Sequence, residues 1–270
     1  MHGRVAASTQ NQALCALLFL YQHVLGRPLD RLTGVVRANR PKRLPVVLSR
    51  DEVGRVLAGL GGTPRLVGVL LYGTGARVFE CLQIRVHDLD FGHREVTIRD
   101  GKGFQDRVAP LPRCAEGDLR SHLGRVRELH QRDLARGLGR APLPDALARK
   151  YPTADREWGW QWAFPASGHY TDRRTGVRHR HHLHETAVQK AFRGAAARAG
   201  VAKHATPHVM RHAFATHLLE DGYDIRTVQE LLGHKDVGTT MVYVHVLNKG
   251  GRGVESPADR LGVSQTGRSG

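Results

Sequence analysis

The stretch from residue 206 to residue 246 constrains the fold more than any other part of the chain. Thr206 followed by Pro207 marks a helix start: a hydroxyl to cap the first free amides, then a proline suited to the first turn. Gly222 and Gly233 close two successive helical patterns, because helices end readily on a residue that turns left-handed. The segment therefore predicts helices over 208–220 and 224–232, then a short segment, 239–246, carrying Tyr243. His208 and Arg211, three residues apart, project from one helical face. His234 falls just beyond the end of the second helix.

Two upstream motifs add positive charge. Gly73-Thr74-Gly75-Ala76-Arg77-Val78-Phe79-Glu80 places Arg77 at a loop-to-helix junction. Asp100-Gly101-Lys102-Gly103 places Lys102 at the turn of a predicted hairpin, with strands at 95–98 and 107–111. A phenol with a pKa of about 10 is a poor nucleophile at neutral pH. Among arginine, lysine and histidine, Tyr243 can be activated to attack a phosphodiester and form a covalent phosphotyrosine.

The ordered set Arg77, Lys102, His208, Arg211, His234 and Tyr243, with these local motifs, resembles the tyrosine recombinases, or phage-type integrases. Leu143-Pro144-Asp145-Ala146-Leu147, the tryptophan-rich stretch 158–164, and the motifs at 227–234 and 239–248 resemble integron integrases in particular. The resemblance covers residues 35–261. Residues 141–185 are longer than a generic recombinase needs and resemble the extra insertion of the integron branch.

The resemblance implies a mixed α/β, mostly helical catalytic domain with a small antiparallel sheet, behind a partial helical core-binding (SAM-like) domain. The expected boundaries are a core-binding piece at 1–38, a basic linker at 39–46, the catalytic domain at 47–249 and a tail at 250–270. Family members carry a complete core-binding domain, so the start reads as truncated, which would weaken binding and recombination. The expected function is site-specific recombination that integrates and excises gene cassettes through a 3′-phosphotyrosine intermediate. A DNA-binding remnant without efficient recombination is the alternative. A type IB topoisomerase uses a similar active site, but the insertion and Leu232-Gly233-His234 argue against it.

Each residue has a chemical reason to be there. Arg77 and Arg211 would clamp the non-bridging oxygens with planar, permanently charged forks. Glu80 would orient Arg77. Lys102 would protonate the departing 5′ oxygen, His208 would accept the tyrosine proton, and His234 would hydrogen-bond the phosphate. These cations supply the positive charge, so no cofactor and no metal is expected. The chain has no GxxxxGK[ST] phosphate loop, and transesterification conserves bond energy and needs no nucleotide.

Composition fits a nucleic-acid partner. Lys and Arg number 41 against 25 Asp and Glu, a net charge of +16. Cys15, Cys81 and Cys114 are odd in number and scattered, which fits reduced thiols in a cytoplasmic protein. The apolar run at 13–20 is too short to cross a bilayer, so no membrane partner is expected. Expected partners are integron attachment sites, including folded single-stranded hairpins, and three further copies in a tetramer on synapsed DNA. The tail segment 256–261 would dock on a neighbouring protomer.

Further contacts are expected from Arg40, Lys42 and Arg43 in the linker, which would track phosphates. His181 and His182 sit in a basic tract, 178–184, that reads as a DNA-facing surface, with a structural zinc site as the alternative. For Trp158, Trp160 and Trp162 two readings stay open: core packing, or a platform on which each unstacked base gains about 1–3 kcal/mol. Other expected helices are 9–24, 30–38, one opened by the capping box at Ser49–Glu52, 64–72, one from Glu80, 113–137 and 184–199.

Overall fold

In the computed structural model, which describes residues 5–29, 45–99 and 106–247, the chain divides into two units between Leu44 and Pro45. The first contains helix α1 (Ala7–Phe19), which widens into a π-helical stretch, Leu20–Val24. Leu14, Leu18 and Tyr21 on the expected stripe are half-buried, and no residue of the helix is fully buried. The helix expected at 30–38 and the linker residues Arg40, Lys42 and Arg43 lie outside the described residues.

The second unit begins with a capping box. Ser49 Oγ accepts from the Glu52 amide at 3.2 Å, and the Glu52 carboxylate accepts from the Ser49 amide at 2.7 Å, opening α2 (Arg50–Ala58). Helix α3 (Gly62–Thr74) buries Leu66, Val67, Leu70 and Leu71 and forms the spine of the core. It ends on Gly75 at φ 63°, and a Cβ there would lie 2.5 Å from the Phe214 ring. Both the left-handed turn and the close approach require glycine. Helix α4 (Val78–Leu82) follows at once, with Arg77 as its N-cap residue.

Strands β1 (Leu89–Asp90), β2 (Glu95–Ile98) and β3 (Arg107–Pro110) form an antiparallel sheet in that order. Val96 pairs with Ala109 and Ile98 with Arg107, so β2 and β3 are neighbours, and the expected turn with Lys102 falls outside the described residues. A 3-10 turn leads into α5 (Glu116–Ala135), which buries Leu119, Leu123 and Val126 along one face.

Residues 141–185 fold around α6 (Asp145–Lys150), two 3-10 turns and an antiparallel pair, β4 (Pro165–Thr171) and β5 (Arg178–His182). Successive strand side chains point to opposite faces. The basic tract is therefore split: Arg180 and His182 point inward while His181 is exposed. Arg180 makes a two-point ion pair with Asp133 at 2.7 and 2.9 Å and donates to the carbonyls of Ala166 and Ser167. The expected DNA-facing surface therefore does not include Arg180 and His182, which β5 turns into the protein.

Four helices complete the unit: α7 (Glu185–Arg198), α8 (Pro207–Glu220), α9 (Ile225–Leu232) and α10 (Val237–Leu247). The start of α8 follows the expected cap at Thr206. Thr206 Oγ1 accepts from the Val209 amide, and the Asp224 carboxylate accepts from the amides of Arg226 and Thr227. Helix α8 is buried on most sides, packed against α3, α9 and α10. Tyr243 thus sits on a full helix rather than in a short segment. Among the described residues no helix is long and apolar enough to cross a membrane.

Candidate active site

The end of α3, the start of α8 and the end of α9 meet at Arg211. The residue is only 1% exposed, so its charge must be met by fixed acceptors. It donates to the Gly75 carbonyl at 2.5 Å, to the Leu232 carbonyl at 2.7 Å and to His234 Nε2 at 3.0 Å. The first acceptor is the left-handed glycine that ends α3, and the second is the last residue before the left-handed Gly233. Glycine-closed helix ends therefore aim free carbonyls at the guanidinium.

His234 receives a bond from Arg211 on Nε2, so its proton belongs on Nδ1, 2.9 Å from the hydroxyl of the fully buried Thr240. Burial, reinforced by the Arg211, Arg77 and Arg107 charges, pushes the His234 pKa down to about 4. The ring is neutral at neutral pH and can donate or accept without adding charge.

Arg77 projects from the N-terminus of α4 and donates to Glu80 Oε1 at 2.5 Å, while its amide donates to Glu80 Oε2 at 2.9 Å. Glu80 also receives a bond from Arg107 on β3 at 2.7 Å. Burial works to raise the Glu80 pKa, but the Arg107 hydrogen bond and charge, with the Arg77 bonds, outweigh it and hold the carboxyl at about 2. Glu80 is thus an anion at any working pH, bracketed by two arginines.

Tyr243 is 4% exposed, packed with Phe214, Val228 and Leu232. Burial raises its pKa, against the lowering charges of Arg211 and Arg77, so the resting group is a neutral phenol. The imidazole in contact with it is His212: Nδ1 lies 2.9 Å from the hydroxyl. Burial and the neighbouring His208 and Arg211 push His212 to about 4. His208 packs edge-on against His212 with ring centroids 4.5 Å apart, and its own pKa is lowered by desolvation and by Arg211 and Arg77.

Arg77, Glu80, His208, Arg211, His234 and Tyr243 are therefore brought together, and Lys102 lies outside the described residues. Sequence reasoning passed over His212 and Arg107. His212 stands four residues from His208, the spacing of one helical face, and that signal was there to be used. Arg107 has no local signal; it is an ordinary arginine on a strand.

The remaining site residues separate by burial. Trp162 is buried with the Arg85 guanidinium 3.9 Å from its ring centroid, and His182 is buried against Phe79 and Trp162. A buried ring offers no face to a nucleic-acid base, so the expected DNA contacts of Trp162 and His182 are not available in this arrangement. Trp158 and Trp160 are half-buried and His181 is exposed.

The two histidines carry a pH prediction. With folded pKa values near 4 for His212 and His234, the unfolded chain binds more protons than the folded one between about pH 6.5 and 4. Stability is full above that window and falls as pH drops through it. Melting temperatures measured from pH 7 to 4 are expected to decline, less steeply in a His212→Gln variant. An unchanged slope would show that His212 is not held neutral.

Comparison with known proteins places this geometry. The model described as "Phage integrase family" matches residues 48–249, the whole span from α2 to α10. The chain belongs to that family. The model "Phage integrase, N-terminal SAM-like domain" matches residues 1–31. An integrase/recombinase of Escherichia coli is 52% identical over 258 residues, covering 96% of this chain and 77% of that protein. Tyrosine recombinase XerD of Brucella abortus biovar 1 (strain 9-941) is 35% identical, covering 90% and 74% respectively. The solved XerH site-specific recombinase, in its post-cleavage complex with a palindromic difH substrate, shares the fold. Its TM-score is 0.59 at 22% identity, over 90% of this chain and 65% of that one. The chain is thus a tyrosine recombinase, an enzyme that cleaves and rejoins DNA site-specifically.

Proposed function

We propose that this recombinase acts on integron attachment sites and moves gene cassettes, with Arg77, Lys102, His208, Arg211, His234 and Tyr243 as its catalytic set. The observation that carries the chemistry is the meeting of Arg77, Arg211, His234 and Tyr243 around one point in a single chain. Tyr243 Oη attacks the scissile phosphorus, the bond to the 5′ oxygen breaks, and a 3′-phosphotyrosine forms. The phenol proton passes to the His208–His212 pair, and Lys102 protonates the departing 5′ oxygen. Arg77 and Arg211 stabilise the charge on the non-bridging oxygens, and His234 adds a hydrogen bond once phosphate displaces the Arg211 contact and the ring takes its Nε2–H tautomer, with the Thr240 hydroxyl donating to Nδ1. Attack by a 5′ hydroxyl of a second strand reverses these steps and rejoins DNA. The working unit is a tetramer on two synapsed sites.

The integron assignment rests on residues 141–185. Here α6, the tryptophan turns and β5 surround a cavity of about 480 Å3 whose lining includes Arg85, Arg99, Pro142, Trp160, Trp162 and His181. That volume lies within the range of about 300–1,000 Å3 typical of small-ligand pockets. Trp160 and His181 are the less buried aromatic wall residues and would meet an extrahelical base, while the buried Trp162 packs against His181 and Arg85.

The test is a binding titration of two probes: a folded hairpin with unpaired bases, and the same sequence fully paired. Trp160→Ala and His181→Ala are expected to weaken hairpin binding by about 1–3 kcal/mol per lost stack and to leave duplex binding nearly unchanged. Trp162→Ala should instead lower the melting temperature. Equal losses on both probes would remove the integron reading while leaving the cleavage chemistry standing.

A further inference from the structure

Arg107 lies on β3, immediately after the segment that carries Lys102, and its side chain is 9% exposed. It is tied at two points. Nε donates to the Leu231 carbonyl at the end of α9 at 2.9 Å, and the terminal nitrogen donates to Glu80 Oε2 at 2.7 Å. Its aliphatic stem also packs on Gly233, where a Cβ would lie 3.2 Å from Arg107 Cδ. The two anchors belong to different parts of the site. Glu80 holds Arg77, while Leu231 precedes Leu232, whose carbonyl accepts from Arg211, and Gly233, after which His234 projects.

A solvated strand arginine would do none of this. The side chain instead spans three sequence motifs that are far apart in the chain, and a planar fork with separated donors is what such a span requires. A lysine ammonium is a single point and cannot hold a carboxylate and a carbonyl on opposite sides with the same geometry.

We propose that Arg107 is a positioning residue of the recombination reaction, locking the hairpin strand, the Arg77–Glu80 pair and the Arg211–His234 end of α9 into one frame. It acts through Glu80 and the α9 terminus and touches no reacting atom. The proposal rests on the catalytic reading of Arg77, Arg211 and Tyr243, and its test separates the two.

The 270-residue chain carrying Arg107→Gln, Arg107→Lys, Glu80→Gln or the double change Glu80→Gln/Arg107→Gln is compared with wild type on a nicked suicide duplex that the wild-type chain is expected to cleave. Single-turnover cleavage by Arg107→Gln is expected to fall at least about tenfold, with DNA affinity within about twofold of wild type, since the loss is one of geometry. Arg107→Lys keeps the charge and the fold but makes only one of the two ties, so it should lose a smaller, measurable part of the rate. Without Arg107 the buried Glu80 carboxyl is harder to ionise, so the acidic limb of the rate–pH profile should move upward in Arg107→Gln. It should move most of the way back when Glu80→Gln is added, because that titrating group is then gone; the remainder belongs to His234, which the Arg107 charge also holds down. The double variant should be no slower than Arg107→Gln, the non-additivity expected of one network.

Cleavage by Arg107→Gln and Arg107→Lys within twofold of wild type, while Arg77→Lys and Tyr243→Phe abolish it, overturns the positioning role alone. An unmoved pH profile with a lowered melting temperature also overturns it, leaving Arg107 a stability residue. Retained cleavage in Tyr243→Phe would instead bring down the catalytic reading on which the proposal stands.

Discussion

Tyr243→Phe is expected to bind DNA normally and to form no covalent protein–DNA adduct on a nicked suicide substrate, where the wild-type chain accumulates one. The substitution removes one oxygen. The ring stays packed with Phe214, Val228 and Leu232, so the helix that carries it has no reason to move. What is lost is the oxygen proposed to bond to phosphorus, and with it the hydrogen bond to His212 Nδ1. Leaving that nitrogen unpaired costs about 1–3 kcal/mol of stability, far less than unfolding requires and visible as a modest drop in melting temperature. Gel electrophoresis under denaturing conditions reads the adduct directly. Tyr151, Tyr170 and Tyr223 lie exposed and are not in the proposed catalytic set, so phenylalanine in their place should leave the adduct yield unchanged. An adduct that persists in Tyr243→Phe would remove Tyr243 as the nucleophile.

Arg211→Lys is expected to cut single-turnover cleavage by at least about a hundredfold, the order lost when a transition-state donor is removed. Two effects combine. An ammonium cannot reproduce bidentate contact with phosphoryl oxygens, and a single Nζ cannot serve the Gly75 carbonyl, the Leu232 carbonyl and His234 Nε2 together. Each buried carbonyl left without a donor costs about 1–3 kcal/mol, so the melting temperature should fall as well. Arg77→Lys separates the two effects. Its side chain is 29% exposed and its main tie is to Glu80, so it should show the catalytic loss with a smaller change in melting temperature. Near-normal cleavage by Arg211→Lys, measured well below its melting temperature, would show that the phosphate clamp lies elsewhere.

How much of this was legible beforehand follows from the range of the forces involved. Helix starts at Ser49, Thr206 and Asp224, the helix end at Gly233, and the strands at Glu95–Ile98 and Arg107–Pro110 are all visible in the chain. Capping, glycine turns and strand alternation act within a few residues, so composition over a short window determines them. The motifs around Arg77, His208, Arg211, His234 and Tyr243 are likewise local, and their chemistry is a property of the side chains themselves.

Partnership across the chain is another matter. Arg211 meets the carbonyl of a residue 136 positions earlier, Arg107 meets Leu231 from 124 positions away, and Tyr243 finds His212 rather than His208 from 31 positions away. None of these pairings has a periodic signature, because they depend on how α8 settles against α3 and α10 and how β3 settles against α9. Burial is equally non-local: His181 and His182 are neighbours in sequence, yet one faces solvent and the other lies against Phe79 and Trp162. The sequence by itself determined which residues can carry the chemistry and which elements hold them. Only the packing of those elements decided which donor faces which acceptor, since hydrogen bonds and desolvation depend on distances of a few ångströms that no spacing along the chain records.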